Sequence, residues 1–177
     1  MTTEYRQFLA LSQARYSCRL YSDEPVSDEH LRLIAEAARL APSACNRQPW
    51  HLLIVTDAER RQALTSCYGR DWLQAAPAFI AIIGNHAEAW HREAYDGKDH
   101  TDVDAAIITE HICLAAASLG IGSCWICNFD AERFSDLFGL GPDLEPIAIV
   151  ALGHPAKEGA PEKIRKPLSE IASWQKL

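Results

Sequence analysis

The sequence predicts an α+β fold, in which helices flank a central β-sheet and one long helix is buried. Three short apolar runs bounded by turn residues predict core strands, at 51–56, 78–84 and 147–152. Residues 104–119 are apolar on nearly every side of a helix, which is typical of a helix at the centre of a domain. We therefore expect a core built from these strands and this helix.

Weaker patterns predict the other elements. Thr101 to Asp104 resembles a capping box ending in Asp, at the start of the long helix. The remaining predicted elements are a short amphipathic helix at 2–15, a helix from the N-cap Ser27 to Pro42, an extended segment at 123–126 and a short helix from Asp130.

Length and composition favour one globular domain. We expect residues 1–177 to form a single domain, with 157–177 as a C-terminal arm. The formal charge of −7 argues against nucleic acid as a partner, because phosphate binding needs a basic surface. No apolar run approaches the roughly 18 residues of a membrane span. The first residues lack the apolar region of a secretory signal, so we expect a cytoplasmic protein without a membrane partner.

The six cysteines are scattered, and only Cys124 and Cys127 lie close together. A zinc site usually has a second pair or suitably spaced histidines, which the sequence lacks. A thioredoxin-like pair opens a helix after a strand, whereas this pair lies in an extended segment after a helix. We expect structural cysteines, and a thiol redox or metal-binding module built on Cys124 and Cys127 is the alternative from a different class.

The segment 85–101 is irregular and contains His86, His91 and His100 among aromatic and acidic residues. The histidines lack the helical spacing that would bring them together as metal ligands. A long aromatic segment between core elements is more often a lid or substrate loop, and we expect that here, without a metal site.

The stretch 41–51 lies between a predicted helix and a predicted strand and is rich in short polar side chains. Its two prolines fix φ locally and are expected to push Ala41 and Gln48 into extended conformations. Such a rigid loop would hold Ser43 and Asn46 in set directions, where they could bind the edge of a ring system. A polar turn with a buried Trp50 is the other interpretation.

Arg15, Ser17 and Arg19 alternate along the chain. An extended backbone would point all three side chains the same way. Two guanidinium groups and a hydroxyl suit a phosphate, because arginine offers a bidentate fork. For an isolated segment of this kind, a solvated charged strand is the other interpretation.

Four segments in order resemble the nitroreductase family of FMN-dependent oxidoreductases. The first is Arg-Tyr-Ser-Cys-Arg at 15–19, and the second is Pro-Ser-x-x-Asn-x-Gln-Pro-Trp at 42–50, which we call the signature loop. The third is Leu-Gly-Ile-Gly-Ser-Cys-Trp-Ile at 119–126, and the fourth combines Leu-Gly-His-Pro at 152–155 with Lys-Ile-Arg at 163–165. The resemblance spans residues 15–168.

The resemblance implies a mostly antiparallel sheet and a bound FMN. The phosphate and ribityl chain would contact the segment 15–19 and the pair Lys163 and Arg165, and the ring edge would contact Asn46 and Gln48. The residues that the resemblance assigns to the cofactor are Arg15, Tyr16, Ser17, Arg19, Pro42, Ser43, Ala44, Asn46, Gln48, Cys124, Trp125, Ile126, Lys163 and Arg165.

The implied activity is transfer of hydride from NAD(P)H to nitroaromatic, quinone or similar acceptors by a ping-pong mechanism. The chemistry would occur on FMN, with no catalytic side chain. No G-x-G-x-x-G motif follows a strand, so NAD(P)H would bind transiently over the flavin. Family members are typically homodimers with FMN at the interface. Reductive dehalogenation and oxygen-dependent flavin cleavage are alternatives on the same fold. The chain is shorter than the better known members, and no segment of it matches their extended helical insert, which leaves the acceptor open.

Overall fold

A four-stranded antiparallel sheet forms the centre of the molecule, with strand order β1-β2-β4-β3. The computed structural model describes residues 1–157 and 159–174. The strands are β1 (Trp50–Val55), β2 (Ala78–Asn85), β3 (Gly122–Ile126) and β4 (Leu144–Gly153). The α-helices are α1 (Thr3–Ala14), α2 (Asp28–Arg39), α3 (Ala58–Thr65), α4 (Thr101–Ser118), α5 (Ala131–Phe138) and α6 (Leu168–Ile171).

Helices cover both faces of the sheet, and successive strand residues enter two different cores. Ile80 and Val150 pack with α2 and α4 on one face. Phe79 and Ile149 pack with α3 and α5 on the other face. This alternation is the two-residue period of a β-strand. Strands β2 and β4 are buried on both faces along most of their length, so they are nearly continuous apolar runs in the sequence. The predicted α+β class and antiparallel sheet are confirmed.

The long helix α4 connects the elements that carry the predicted site residues. Ile108 and Ile112 are fully buried against the sheet and α2. Helix α1 packs beside α4, and none of the α1 residues is buried in the described part of the chain. The short amphipathic helix predicted at 2–15 therefore forms, with its apolar side chains largely exposed. Gly120, with a φ of 73°, ends α4 and leads into β3.

Candidate functional site

Three cations meet where the segment after α1 passes the C-terminal arm. The Lys163 ammonium donates a hydrogen bond to the Ser12 carbonyl oxygen. Burial lowers the pKa of Lys163, and the positive charges of Arg15 and Arg165 lower it further. The nearest carboxylate to Arg15 is Glu110, whose Oε1 lies 4.0 Å from Arg15 Nε. The cluster therefore has surplus positive charge and suits an anion.

A cavity of about 380 Å³ opens beside this cluster. Glycine lets the backbone form part of its wall: a Cβ on Gly122 would lie 2.9 Å from Cys18 Sγ, too close for any other residue. The lining includes Arg15, Tyr16, Gly120, Gly122, Ser123 and Lys157. The cavity combines a narrow, backbone-lined wall with a cationic rim.

The segment 15–19 runs alongside the start of β3. Cys18 N–H donates to the Ser123 carbonyl oxygen at 2.9 Å, and Ser17 forms a parallel bridge with Ser123. Cys18 is buried, whereas Ser17 and Arg19 are exposed. Arg19 lies over the Trp72 ring, 5.8 Å from its centroid. Ser17 forms the bridge expected of an extended segment, but Cys18 N–H also donates to the Tyr16 carbonyl oxygen at 3.0 Å, so the chain turns at Ser17 and the segment is not uniformly extended. The structure places Arg15 near Lys163 and Arg165, while Arg19 packs on the Trp72 ring.

Strand β3 is an edge strand of the sheet, and the segment 15–19 covers its outer side at Ser123. The main-chain groups of Trp125, two residues on, face the same outer side and are beyond that segment. Cys124 and Ile126 are buried in the core beneath the sheet, so their side chains cannot line a site. Trp125 is half-buried on the α4 side, and its Nε1–H donates to Cys127 Sγ at 3.1 Å.

The two closely spaced cysteines have different environments. The Cys124 thiol is buried, and burial raises its pKa, whereas Cys127 is exposed. A reactive thiol pair needs accessible sulfurs with depressed pKa values. The geometry therefore gives no support to a redox pair at these positions.

The signature loop is a tight turn held by its own hydrogen bonds. Ala44–Asn46 form a 3₁₀ turn, and φ is positive at Cys45 (49°), Asn46 (56°) and Gln48 (52°). Ser43 Oγ accepts a hydrogen bond from Gln48 N–H at 2.8 Å. The prediction of an extended Gln48 is wrong, because this bond and the bond from Trp50 N–H to the Gln48 carbonyl oxygen (2.8 Å) close the loop on itself.

The N-terminus of α4 differs from the predicted capping box. Thr101 is already helical, and its N–H donates to Asp99 Oδ1 at 2.6 Å. Asp104 instead accepts a hydrogen bond from Ala44 N–H, 2.9 Å from Oδ1. The capping prediction is wrong because the chain enters the helix from Asp99, which leaves the Asp104 carboxylate free for the signature loop. Neither the bond of Asp99 to Thr101 nor the bond of Asp104 to Ala44 was predictable from the sequence, because no local spacing marks them.

The signature loop and the cation cluster contact α4 at different positions. The loop contacts Asp104 in the first turn, whereas Arg15 of the cluster approaches Glu110 near the middle of the helix. The step from Asp104 to Glu110 corresponds to a rise of about 9 Å and a separation of about 120° around the helix axis. The cavity beside the cluster continues to Ala117 in the last turn. Within one chain, the two groups of predicted site residues therefore lie on different sides of α4.

His86 joins the irregular segment 85–101 to the sheet. Its Nδ1 lies 2.6 Å from Asp99 Oδ2, and its Nε2 lies 2.7 Å from Glu145 Oε2. Both ring nitrogens face carboxylates, so both bonds require the protonated ring. These hydrogen bonds, first that to Asp99, raise the pKa of His86. His91 also approaches Asp99, 3.7 Å from Oδ2, a cluster that sequence spacing did not reveal.

Comparison with known proteins decides the family. The model of the nitroreductase family matches residues 13–70 and 65–154. This chain belongs to the nitroreductase family. A solved nitroreductase family protein from Clostridium difficile 630 is 38% identical to this chain, with a TM-score of 0.89. The match covers 96% of this chain and 99% of the other.

Two further relatives have names that state a cofactor or substrate. An FMN-dependent nitroreductase from Clostridium difficile R20291 is 26% identical, with a TM-score of 0.75 and coverage of 88% of this chain and 91% of the other. An FMN reductase [NAD(P)H] from Bacillus subtilis strain 168 is 31% identical over 170 residues, which is 88% of this chain and 68% of the relative. In the described part of this chain, no helix has the length and apolar character needed to cross a membrane.

Proposed function

We propose that this nitroreductase family member is an FMN-dependent oxidoreductase that takes hydride from NAD(P)H and reduces nitroaromatic, quinone or similar acceptors. The observation that carries the proposal is the cation cluster of Arg15, Lys163 and Arg165 beside the glycine-walled cavity. A phosphate monoester carries a charge of about −1.5 to −2 at neutral pH and would offset the surplus positive charge. The relatives named for FMN and NAD(P)H support the same cofactor and electron donor.

The residues present fit FMN at its phosphate end and at its ring end. Arg15, Lys163 and Arg165 would hold the phosphate, with Ser17 and Arg19 on the adjoining segment. The exposed side chains of Asn46 and Gln48 would contact the ring edge, and such hydrogen bonds stabilise negative charge on the ring. FMN supplies the hydride and electron chemistry when bound.

The main chain completes the proposed site. Pro42, Ser43 and Ala44 would approach the ring through the signature loop, and Tyr16 lines the cavity beside the phosphate cations. Cys124, Trp125 and Ile126 would line the flavin face, partly through main-chain groups. NAD(P)H and the acceptor would occupy the same exposed space in turn, as a ping-pong mechanism requires.

We also propose that the chain forms a homodimer with FMN bound between the two subunits. Within one chain, the phosphate cluster approaches α4 at Glu110 and the signature loop approaches it at Asp104, about 120° apart around the helix. Two chains with their α4 helices side by side and reversed would bring the loop of one to the cluster of the other. Exposed apolar residues support an interface, including Phe8 (55% exposed) on α1 and Trp174 (75% exposed) in the arm.

The proposed single domain of residues 1–177 would use its arm, 157–177, to cover the neighbouring subunit. Residues 158 and 175–177 of that arm lie outside the described part of the chain. In the rest of the arm, Ile164, Leu168 and Ile171 are exposed, as they would be before a partner covers them.

The test is an absorbance spectrum of the purified protein, followed by stopped-flow mixing with NADH and NADPH. Flavin absorbance that bleaches on mixing and returns with a quinone or nitroaromatic acceptor is the expected result. A colourless protein that does not take up added FMN would overturn the proposal. Flavin that bleaches but is not reoxidised by any acceptor of these classes would exclude the proposed acceptors.

A further inference from the structure

Asp104 is a buried acidic residue with an incomplete set of hydrogen bonds. Only 1% of its surface is exposed. Oδ1 accepts the hydrogen bond from Ala44 N–H, and Oδ2 has no hydrogen-bond partner among the described residues. Leaving a buried acceptor unsatisfied is destabilising, although the positive end of the α4 dipole offsets part of that cost. The bond to Ala44 is therefore the specific contact that this carboxylate makes.

The loop on the other side of that bond is strained and exposed. Cys45, Asn46 and Gln48 are not glycine, yet all three have positive φ values. Such backbone conformations persist only where surrounding contacts hold them. The side chains of these three residues are exposed, so burial of side chains does not hold the turn.

Hydrogen bonds to the rest of the fold hold the signature loop at its beginning and at its end. At the beginning, Ala44 N–H donates to Asp104 on α4. At the end, Asn85 N–H, on β2, donates to the Pro49 carbonyl oxygen at 2.9 Å. The bond at the end is between main-chain groups, so the bond at the beginning is the one that depends on a side chain outside the loop.

We propose that Asp104 is a positioning residue for the flavin ring. It acts through Ala44: its carboxylate fixes the start of the 3₁₀ turn and thereby the directions of Asn46 and Gln48. The inference rests on the proposed function, in which those two side chains contact the ring edge.

Three substitutions separate this role from a loss of stability. Asp104→Ala removes the acceptor, whereas Asp104→Asn keeps a carbonyl oxygen that can accept from Ala44 N–H. Thr109→Ala is the matched control, because Thr109 is also buried on α4 and its hydroxyl donates to the Ala105 carbonyl oxygen at 2.6 Å, away from the loop. If Asp104→Ala does not fold, Asp104→Leu replaces it, since leucine has a similar shape and no acceptor.

The first measurement is hydrogen exchange of the Ala44 amide by NMR, with no flavin added. Asp104→Ala should speed exchange about tenfold relative to wild type, a change that corresponds to about 1.4 kcal/mol. Asp104→Asn and Thr109→Ala should leave exchange of this amide close to wild type. Unchanged protection of Ala44 in Asp104→Ala overturns the proposal.

The second measurement is FMN affinity, together with the bleaching rate at saturating FMN. Asp104→Ala should raise the dissociation constant about tenfold and slow bleaching, and Asp104→Asn should restore both. Equal effects of Asp104→Ala and Thr109→Ala would reduce Asp104 to a stability role and overturn the proposal. Wild-type protein that binds no FMN overturns the proposed function, and with it the role of Asp104 toward the flavin, even if the Ala44 exchange pattern shows that Asp104 fixes the loop.

Discussion

Single charged residues determine whether the proposed phosphate site works. Arg15 is half-buried and shares its surroundings with Lys163 and Glu110. Arg15→Ala would remove a charge-assisted hydrogen bond worth about 1.5–3 kcal/mol. We expect FMN affinity to fall by roughly tenfold to a hundredfold, measured by titration of flavin fluorescence.

Arg60 provides the control for this prediction. Arg60 is an exposed arginine that lies 5.9 Å from the centroid of the Phe138 ring, on the face of the sheet opposite α4. Arg60→Ala should leave FMN affinity unchanged. An equal loss of affinity in both variants would show that the loss comes from general destabilisation.

His86 predicts a pH dependence of stability. Its folded-state pKa is raised, first by the hydrogen bond to Asp99 and then by that to Glu145. The stabilisation of the folded state by His86 is therefore complete below the unfolded pKa of about 6.5 and is lost as pH rises through the folded pKa.

The pKa of Asp99 gives a second, acidic window. Burial opposes ionisation of Asp99, but hydrogen bonds from Thr101 and His86 outweigh it and lower the pKa of Asp99 to about 2. The stabilisation of the folded state by the Asp99 carboxylate is present above about pH 3.9 and is lost as pH falls through about 2.

The measurement is the midpoint of thermal unfolding between about pH 6 and pH 9, for wild type and His86→Gln. Wild type should be the more stable protein at the low end of this range, and the gap should narrow as pH rises. A gap that stays constant with pH would mean that His86 contributes through packing, not through its charge.

At the level of residues, the predicted grouping of Arg15 with Lys163 and Arg165 agrees with the structure, whereas the predicted backbone geometry of the signature loop is wrong. The cations Arg15, Lys163 and Arg165 are far apart in sequence, and the family resemblance brought them together. The positive φ of Gln48 was not predictable, because the Ser43 hydroxyl that stabilises it acts through a turn without glycine. The contact between Asp104 and Ala44 joins positions 60 residues apart and has no local signal.

At the level of elements, the cysteines on and after β3 allow a test of whether FMN or a thiol pair carries the electrons during turnover. Cys124 is buried on this strand. Cys127 lies just beyond the end of the strand, where it is exposed and accepts a hydrogen bond from the Trp125 indole. If FMN alone carries the electrons, Cys127→Ser should keep most NAD(P)H oxidation with a quinone acceptor. Complete loss of turnover with FMN still bound would instead favour the thiol module.

The elements themselves were largely predictable because their signals are local. Ser27 caps α2 as predicted, and the short helix predicted from Asp130 forms as α5, with Asp130 as its cap. Each cap side chain accepts a hydrogen bond from the backbone N–H three residues further along the chain. The third core strand is longer than its predicted range of 147–152, extending from Leu144 to Gly153. Pro146 obscured its beginning, since proline is unusual within a strand; here it lies beside the shift in register of β2 against β4.

For the whole molecule, two features support the proposed homodimer: the exposed apolar residues, and the separation of the signature loop from the cation cluster around α4. Phe8 on α1 and Trp174 in the arm are largely exposed in one chain. Their burial in a dimer would couple subunit association to cofactor binding, because each site would need residues from both chains. A sequence pattern within one chain does not report the proposed sharing, because it depends on how two chains pack together.

A mixed dimer tests this shared FMN site most directly. One chain would carry Arg15→Ala and Lys163→Ala, and the other would carry Asn46→Ala. In a symmetric dimer with shared sites, one site then has all three substitutions and the other has none. The heterodimer should therefore recover about half of the wild-type NAD(P)H oxidation rate, while neither parent homodimer does. Heterodimers no more active than their parents, or a fully active monomer by light scattering, would contradict the account.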